Sequence, residues 1–169
     1  MGQKGLDRKF MFMALEEAKK AYLTGQIPIG AALVIEDRIV DVNSNSQFKN
    51  KNWFYHAENI LIQRNGKRIE EARKIDKNVE LYTTMEPCLM CLGAMAQSRL
   101  SRIIYACPDP IAGSSHLEPP TSWYRENWPT IEQGPYKKES YEIFMKHIEK
   151  NLKEWGNVID TYREFGKNL

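Results

Sequence analysis

Cysteine is scarce and odd in number: the 169 residues contain three, two of them spaced as Cys88-x-x-Cys91. That excludes a disulfide framework and fits reduced thiols in a cytosolic protein. Long apolar runs are missing too. No stretch approaches the ~20 residues of a membrane span, and the opening MGQKGLDRKF lacks the apolar core and cleavage site of a signal peptide. The expectation is a soluble, cytoplasmic chain with no membrane partner. Charge of one sign is not in excess either. A formal net charge of +2 falls far short of the clustered Lys/Arg of a dedicated nucleic-acid binder, yet forbids no such partner. Internal repeats and low-complexity tracts are absent.

What is there is the composition of a globular protein, 42% hydrophobic and 27% charged, at a length that buries one core. A single domain over 1–169 is expected. Phe10, Ala14, Ala18, Ala21 and Tyr22 recur at helical spacing over Asp7 to Thr24, with Gly25 to end the helix. Ile29–Ile35 and Arg38–Val42 read as a hairpin turning at Glu36-Asp37. Asn43 to Asn52 reads as a loop. A helix follows from His56 to about Arg64, ended by Asn65-Gly66. Val79–Thr84 is a strand, and Pro87 suits the first turn of a helix reaching Arg99. Arg102–Ala106 is a further strand. Five of the eight prolines fall between Pro108 and Gly134, so 108–136 reads as an aromatic-rich loop or insertion, and 137–169 as C-terminal helices. This order predicts an α/β fold of three layers, α/β/α, around a central mixed sheet.

Two short segments carry the chemistry: His56-Ala57-Glu58 and Pro87-Cys88-Leu89-Met90-Cys91. Each opens a predicted helix. Cys88 and Cys91, three apart, share one face of a first helical turn, where the helix dipole favours thiolates. With His56 they make three ligands for one tetrahedral Zn²⁺ per chain. Structural zinc sites use four protein ligands, and no second CxxC or HxxxH completes one here, so the fourth position is left for water. Zinc brings the pKa of its water down to ~7. Glu58 is placed to move protons rather than to ligate. A lone CxxC or a lone HAE is weak; together they match the HxE…PCxxC signature of zinc nucleobase deaminases.

At these residues the sequence resembles the cytidine/deoxycytidylate deaminase superfamily, in the branch of bacterial tRNA adenosine deaminases, guanine deaminases and fungal cytosine deaminases. The likeness covers roughly Phe10 to Gly113, including IPIGAALV, the HAE and LYTTMEPCLMCLGAMAQSRLSRIIYACPDPIAGS. It implies a cytidine-deaminase-like fold and a homodimer. It also places Asn45, Ala57, Ile29, Glu86 and Asp109 against the substrate base or its sugar. The basic residues that the tRNA enzymes carry around Cys107–Gly113 are not here, nor is their Lys/Arg-rich tail. Trp53-Phe54-Tyr55 stand where relatives have small residues. Phe54 or a neighbour stacks on a base, or the three are core or dimer contacts. Trp123, Tyr124 and Trp128 either form a lid or pack the insertion on the body. Cys107 reads as a buried apolar residue, His116 and His147 as non-ligands, and the Arg64, Lys67, Arg68, Arg73, Lys74 cluster as a solvated face.

The function expected is a zinc-dependent hydrolytic deaminase converting the exocyclic amine of a nucleobase to a carbonyl, with release of ammonia. A free base, nucleoside or nucleotide of purine or cytosine type is favoured as substrate. The alternative is adenosine-to-inosine deamination in a tRNA anticodon. The base itself is not legible, because pocket shape decides it.

Overall fold

A computed structural model describes residues 2–169. Helix α1 (Gln3–Leu23) leads into the hairpin β1 (Gly30–Ile35) and β2 (Arg38–Ser44). A single turn, α2 (Gln47–Asn50), precedes α3 (Ala57–Arg73), β3 (Val79–Met85), α4 (Leu89–Gln97) and β4 (Arg102–Cys107). Then come α5 (Ser122–Asn127), β5 (Thr130–Gln133), α6 (Lys137–Lys150), α7 (Leu152–Trp155) and α8 (Ile159–Gly166). The sheet order is β2-β1-β3-β4-β5; β1 is antiparallel to β2 and β3, while β3, β4 and β5 run parallel. This is the expected three-layer α/β fold with a mixed sheet.

Residue alternation along the strands builds the layers. Ala31, Leu33, Leu81 and Ile103 face Leu61, Ile69, Leu92 and Met95 of α3 and α4. Their neighbours Ala32, Val34, Tyr82 and Ile104 face Phe10, Met11 and Ala14 of α1. Both faces are covered, so the central strands are mostly buried and mostly apolar. Glu36 and Asp37 both take positive φ (51° and 59°), the backbone of a tight type I′ hairpin turn. Gly30 is required by contact: a Cβ there would strike the backbone of Ala14 and Ala18.

Two expectations need correction. The helix after His56 does not stop at Asn65-Gly66. Asn65 is buried and its amide donates to Asp41 Oδ2 (2.7 Å) and Leu61 O (3.0 Å), while Ile69 and Ala72 prolong the apolar stripe to Arg73. The segment 108–136 is not all loop. It contains α5 and a fifth strand, whose short mixed sequence TIEQ pairs in parallel with Arg102–Tyr105. The C-terminal stretch breaks at Asn151 and again near Gly156 into three helices. The last of these packs Ile159 and Tyr162 with Phe144, Met145 and Ile148 around Met85 and Cys107.

Candidate active site

His56 is the N-cap of α3 and Cys88 the N-cap of α4. Both helices start at the C-terminal end of the sheet, which brings the two caps side by side. His56 Nδ1 lies 3.8 Å from Cys88 Sγ and 3.4 Å from Cys91 Sγ. All three donor atoms fall within 4.8 Å of one another. A tetrahedral zinc with its usual bond lengths sets nitrogen and sulfur ligands about 3.6 Å apart, so the donor set fits this metal. The nitrogen offered is Nδ1.

The Cys91 thiol donates to Cys88 and, with His56, holds the Cys88 thiol down to about 4 against the cost of its burial. The same hydrogen bond, then burial, raises Cys91. Burial pulls the His56 imidazole down, but the neighbouring Cys88 and Glu58 outweigh it and the net shift is upward.

Glu58 stands one residue inside α3 and is 3% exposed. Its Oε1 accepts from Thr83 Oγ1 of β3 at 3.1 Å. Its buried Oε2 has no protein partner among the described residues. Burial raises its carboxyl above the ordinary range, only partly offset by His56. One oxygen is anchored, the other is unpaired among the described residues, the residue lines the cavity, and the group is inclined to hold a proton. That is the disposition of a general acid/base.

The cavity measures about 450 Å³, within the usual range for small-molecule sites. Ile27, Ile29 and Met85 line it near the sheet; Phe48 comes from α2 and Trp53 from the loop between α2 and α3. The C-terminal helices supply Phe144, Trp155 and Tyr162. The loop after β4 closes another side and is organised by Glu86. One carboxylate oxygen accepts from the Asp109 N–H (3.0 Å), the other from the Ser115 N–H (2.9 Å). A Cβ at Gly113 would run into that carboxylate. Asp109 Oδ1 accepts from the amides of Ile111 and Ala112 and from the Tyr162 hydroxyl at 2.7 Å. Helix α8 is thereby latched to the loop. Burial, then the Asp109 carboxylate, raises the Tyr162 phenol, which keeps its proton.

Of the substrate contacts expected from sequence, Ile29, Glu86 and Asp109 line the cavity with His56, Glu58 and Cys88. Ala57 is buried at the first position of α3. Asn45 is 1% exposed and occupied: its amide donates to Gln47 Oε1 (2.8 Å) and accepts from the Gln47 N–H (3.1 Å). Gln47, not Asn45, reaches the cavity wall. Phe54 is 61% exposed and off the wall, where Trp53 stands instead. Phe48, Trp155 and Tyr162 were not anticipated. Trp155 carries the spacing of the α6 stripe and so reads as core, and Tyr162 lies beyond the Gly156 break. Tyr124 meets Trp123 and Trp128 edge to face, and its hydroxyl donates to Gln97. They pack on the body rather than cover the cavity. Cys107 is buried, which pushes its thiol up to about 12. His147 is buried away from the metal donors, and burial lowers it.

A family model described as the cytidine and deoxycytidylate deaminase zinc-binding region matches residues 4–107. A tRNA-specific adenosine deaminase from Aquifex aeolicus is 33% identical over 150 residues, covering 85% of this chain and 96% of the relative. A solved structure from work on A-to-I editing by tRNA:A34 deaminases at the wobble position aligns with a TM-score of 0.64 at 28% identity, over 80% of this chain and 99% of the other. Guanine deaminase from Nitrosomonas europaea shares the fold, with a TM-score of 0.62 at 18% identity over 82% of each chain.

Proposed function

This chain belongs to the cytidine and deoxycytidylate deaminase family, whose members are zinc-dependent hydrolases of C–N bonds, and on that premise we propose how it uses its site and on what. His56 Nδ1, Cys88 Sγ and Cys91 Sγ would hold the zinc. Bound there, zinc supplies the Lewis acidity that makes water nucleophilic at neutral pH. Glu58, whose Oε2 has no protein partner among the described residues, would take the proton of the attacking water. It returns the proton to the ring nitrogen and later carries one to the departing amine. A C–O bond forms, the exocyclic C–N bond breaks, and one water is consumed for each ammonia released. Thr83 keeps the carboxylate facing the cavity through both transfers.

The substrate we propose is a small one: a free nucleobase, nucleoside or nucleotide. The observation that carries this is the C-terminal wall. Phe144, Trp155 and Tyr162 line the cavity that holds His56 and Glu58, and Tyr162 is tied to Asp109. An aromatic wall latched over the base leaves little room for a folded anticodon arm. The flat, apolar ring faces of a base suit Phe48, Trp53 and Trp155. The name of the Aquifex relative favours the second reading, adenosine in a tRNA anticodon. Ammonia release across free bases, nucleosides, nucleotides and an anticodon stem-loop separates the two. Turnover of a small substrate at a rate well above the stem-loop is expected, and the reverse order overturns the reading. Binding of the stem-loop would also weaken steeply with salt, whereas a neutral base would be indifferent.

Among the described residues no helix is long and apolar enough to cross a membrane, and all three cysteines are free thiols. A reducing cytoplasm suits thiols that must ligate metal. A homodimer is proposed through the exposed apolar residues beside the metal donors.

A further inference from the structure

At the opposite end of the sheet from the active site lies a second cleft, of about 390 Å³. Asn78 and Ser101 mark its base, one residue before β3 and β4 begin. The metal donor Cys88 follows the far end of β3, so the length of a strand separates the two sites. The cleft is lined by Arg73 and Lys77 from the end of α3 and the turn after it, Arg99 from the turn after α4, and Trp128 from the segment between α5 and β5.

The three cations share an unusual feature. Among the described residues none makes an ion pair or a side-chain hydrogen bond, although Lys74 next to them pairs with Glu70 at 2.6 Å. The two arginines are also held in place. Arg99 takes a positive φ of 51° at the end of α4 and lies over the Trp123 ring, its guanidinium carbon 5.0 Å from the centroid. Arg73 is half-buried, and burial and then the charge of Arg99 lower its affinity for its proton. Like charges held together in a cleft, with their donors unused, cost free energy that an anion would relieve. Asp76 and Glu126 also line the cleft. Three cations against these two carboxylates leave the cleft a formal charge of +1, enough for one phosphate and little for a long polyanion.

We propose that this cleft is a second, non-catalytic ligand site for a mononucleotide. Arg73, Lys77 and Arg99 take the phosphate oxygens, the half-buried Trp128 offers its face to the base, and Asn78 and Asn127 supply hydrogen-bonding edges. Guanidinium, ammonium, aromatic face and amide together are the groups that recognise a nucleotide. Arg99 and Trp128 join Arg73 only through the fold, so no local pattern in the sequence marks this cleft.

The test uses the zinc-loaded protein and probes without an exocyclic amine, which cannot be turned over: uridine and inosine 5′-monophosphate, uridine, and inorganic phosphate. Calorimetric titration should show a nucleotide binding event that Lys77→Gln and Arg73→Gln each weaken by about tenfold or more, as expected for a lost charge-assisted contact. Trp128→Phe should weaken it less, and deamination rates should stay at the wild-type level in Lys77→Gln. Lys77 is exposed, so its variant tests the site without threatening the fold. Unchanged nucleotide affinity in Lys77→Gln and Arg73→Gln overturns the proposal. So does inorganic phosphate binding as tightly as the nucleotide, which would leave an oxyanion site with no base contact.

Discussion

Glu58 has to be two things in one cycle: basic enough to take a proton from water and acidic enough to give it up. Its surroundings serve both, burial favouring the protonated form and the His56 charge the ionised one. Because its Oε2 has no protein partner among the described residues, removing the carboxylate should leave the metal donors in place. Glu58→Ala is expected to retain zinc by metal analysis and lose about two to four orders of magnitude in ammonia release. Appreciable turnover by that variant would sink the proposed mechanism. Cys88→Ser tests the other half of the constellation. It replaces a thiolate that His56 faces at 3.8 Å with a hydroxyl that does not ionise, so zinc content should drop; full occupancy would remove Cys88 from the ligand set. The quartet of His56, Glu58, Cys88 and Cys91 is legible in the sequence because local spacing and two helix starts place all four. Thr83, which orients Glu58, is not legible, since only the packing of α3 on β3 brings it there.

At the scale of elements, the central strands and the helices beside them follow from periodicity, because each side chain's direction is dictated by its own backbone. Where the reading fails, a distant segment decides. Asn65-Gly66 looks like a helix stop until Asp41 of β2 takes the Asn65 amide. Strand β5 exists because β4 offers it an edge. The cavity wall depends on where α7 and α8 land, and no local pattern records that. Two substitutions follow. Gly66 is helical, exposed, and has nothing within 4 Å of an added Cβ. Gly66→Ala should therefore stabilise the chain by roughly 0.5–1 kcal/mol in denaturant titration, and destabilisation would mean that α3 is interrupted there after all. Trp155→Ala should enlarge the cavity and raise KM for the small substrate, with zinc content unchanged. An unaltered KM would show that α7 is not part of the substrate's enclosure.

For the whole molecule, two surfaces of different character make the remaining predictions. Trp53, Phe54 and Leu89 are 76%, 61% and 67% exposed, and each lies within three residues of His56 or Cys88. Gly93, on the outer face of α4, has open space above it where a partner could approach closely. Light scattering should give twice the 19.7 kDa chain mass, and Phe54→Glu should shift it toward the monomer; a monomeric wild type at micromolar concentration would refute the dimer. At the start of the sheet the chain is instead tied by charge. Arg102 of β4 grips Asp7 of α1 through two bonds of 2.8 and 2.9 Å, and Tyr82 donates to the same carboxylate at 2.7 Å. Burial alone would raise the Asp7 carboxyl; the bonds from Arg102, Tyr82 and Gln3 outweigh it and hold it down to about 2. A carboxyl lowered in the folded state stabilises fully above its unfolded value of 3.8 and loses that stabilisation as pH falls toward about 2. The lowering corresponds to about 2 kcal/mol. Since zinc ligands also protonate in acid, the informative quantity is the stability difference between wild type and Asp7→Asn. It should be near its full value at pH 7, shrink below about pH 4 and vanish near pH 2. A difference that stays constant across that range would mean that Asp7 contributes through packing of α1 on the sheet, and not through its charge.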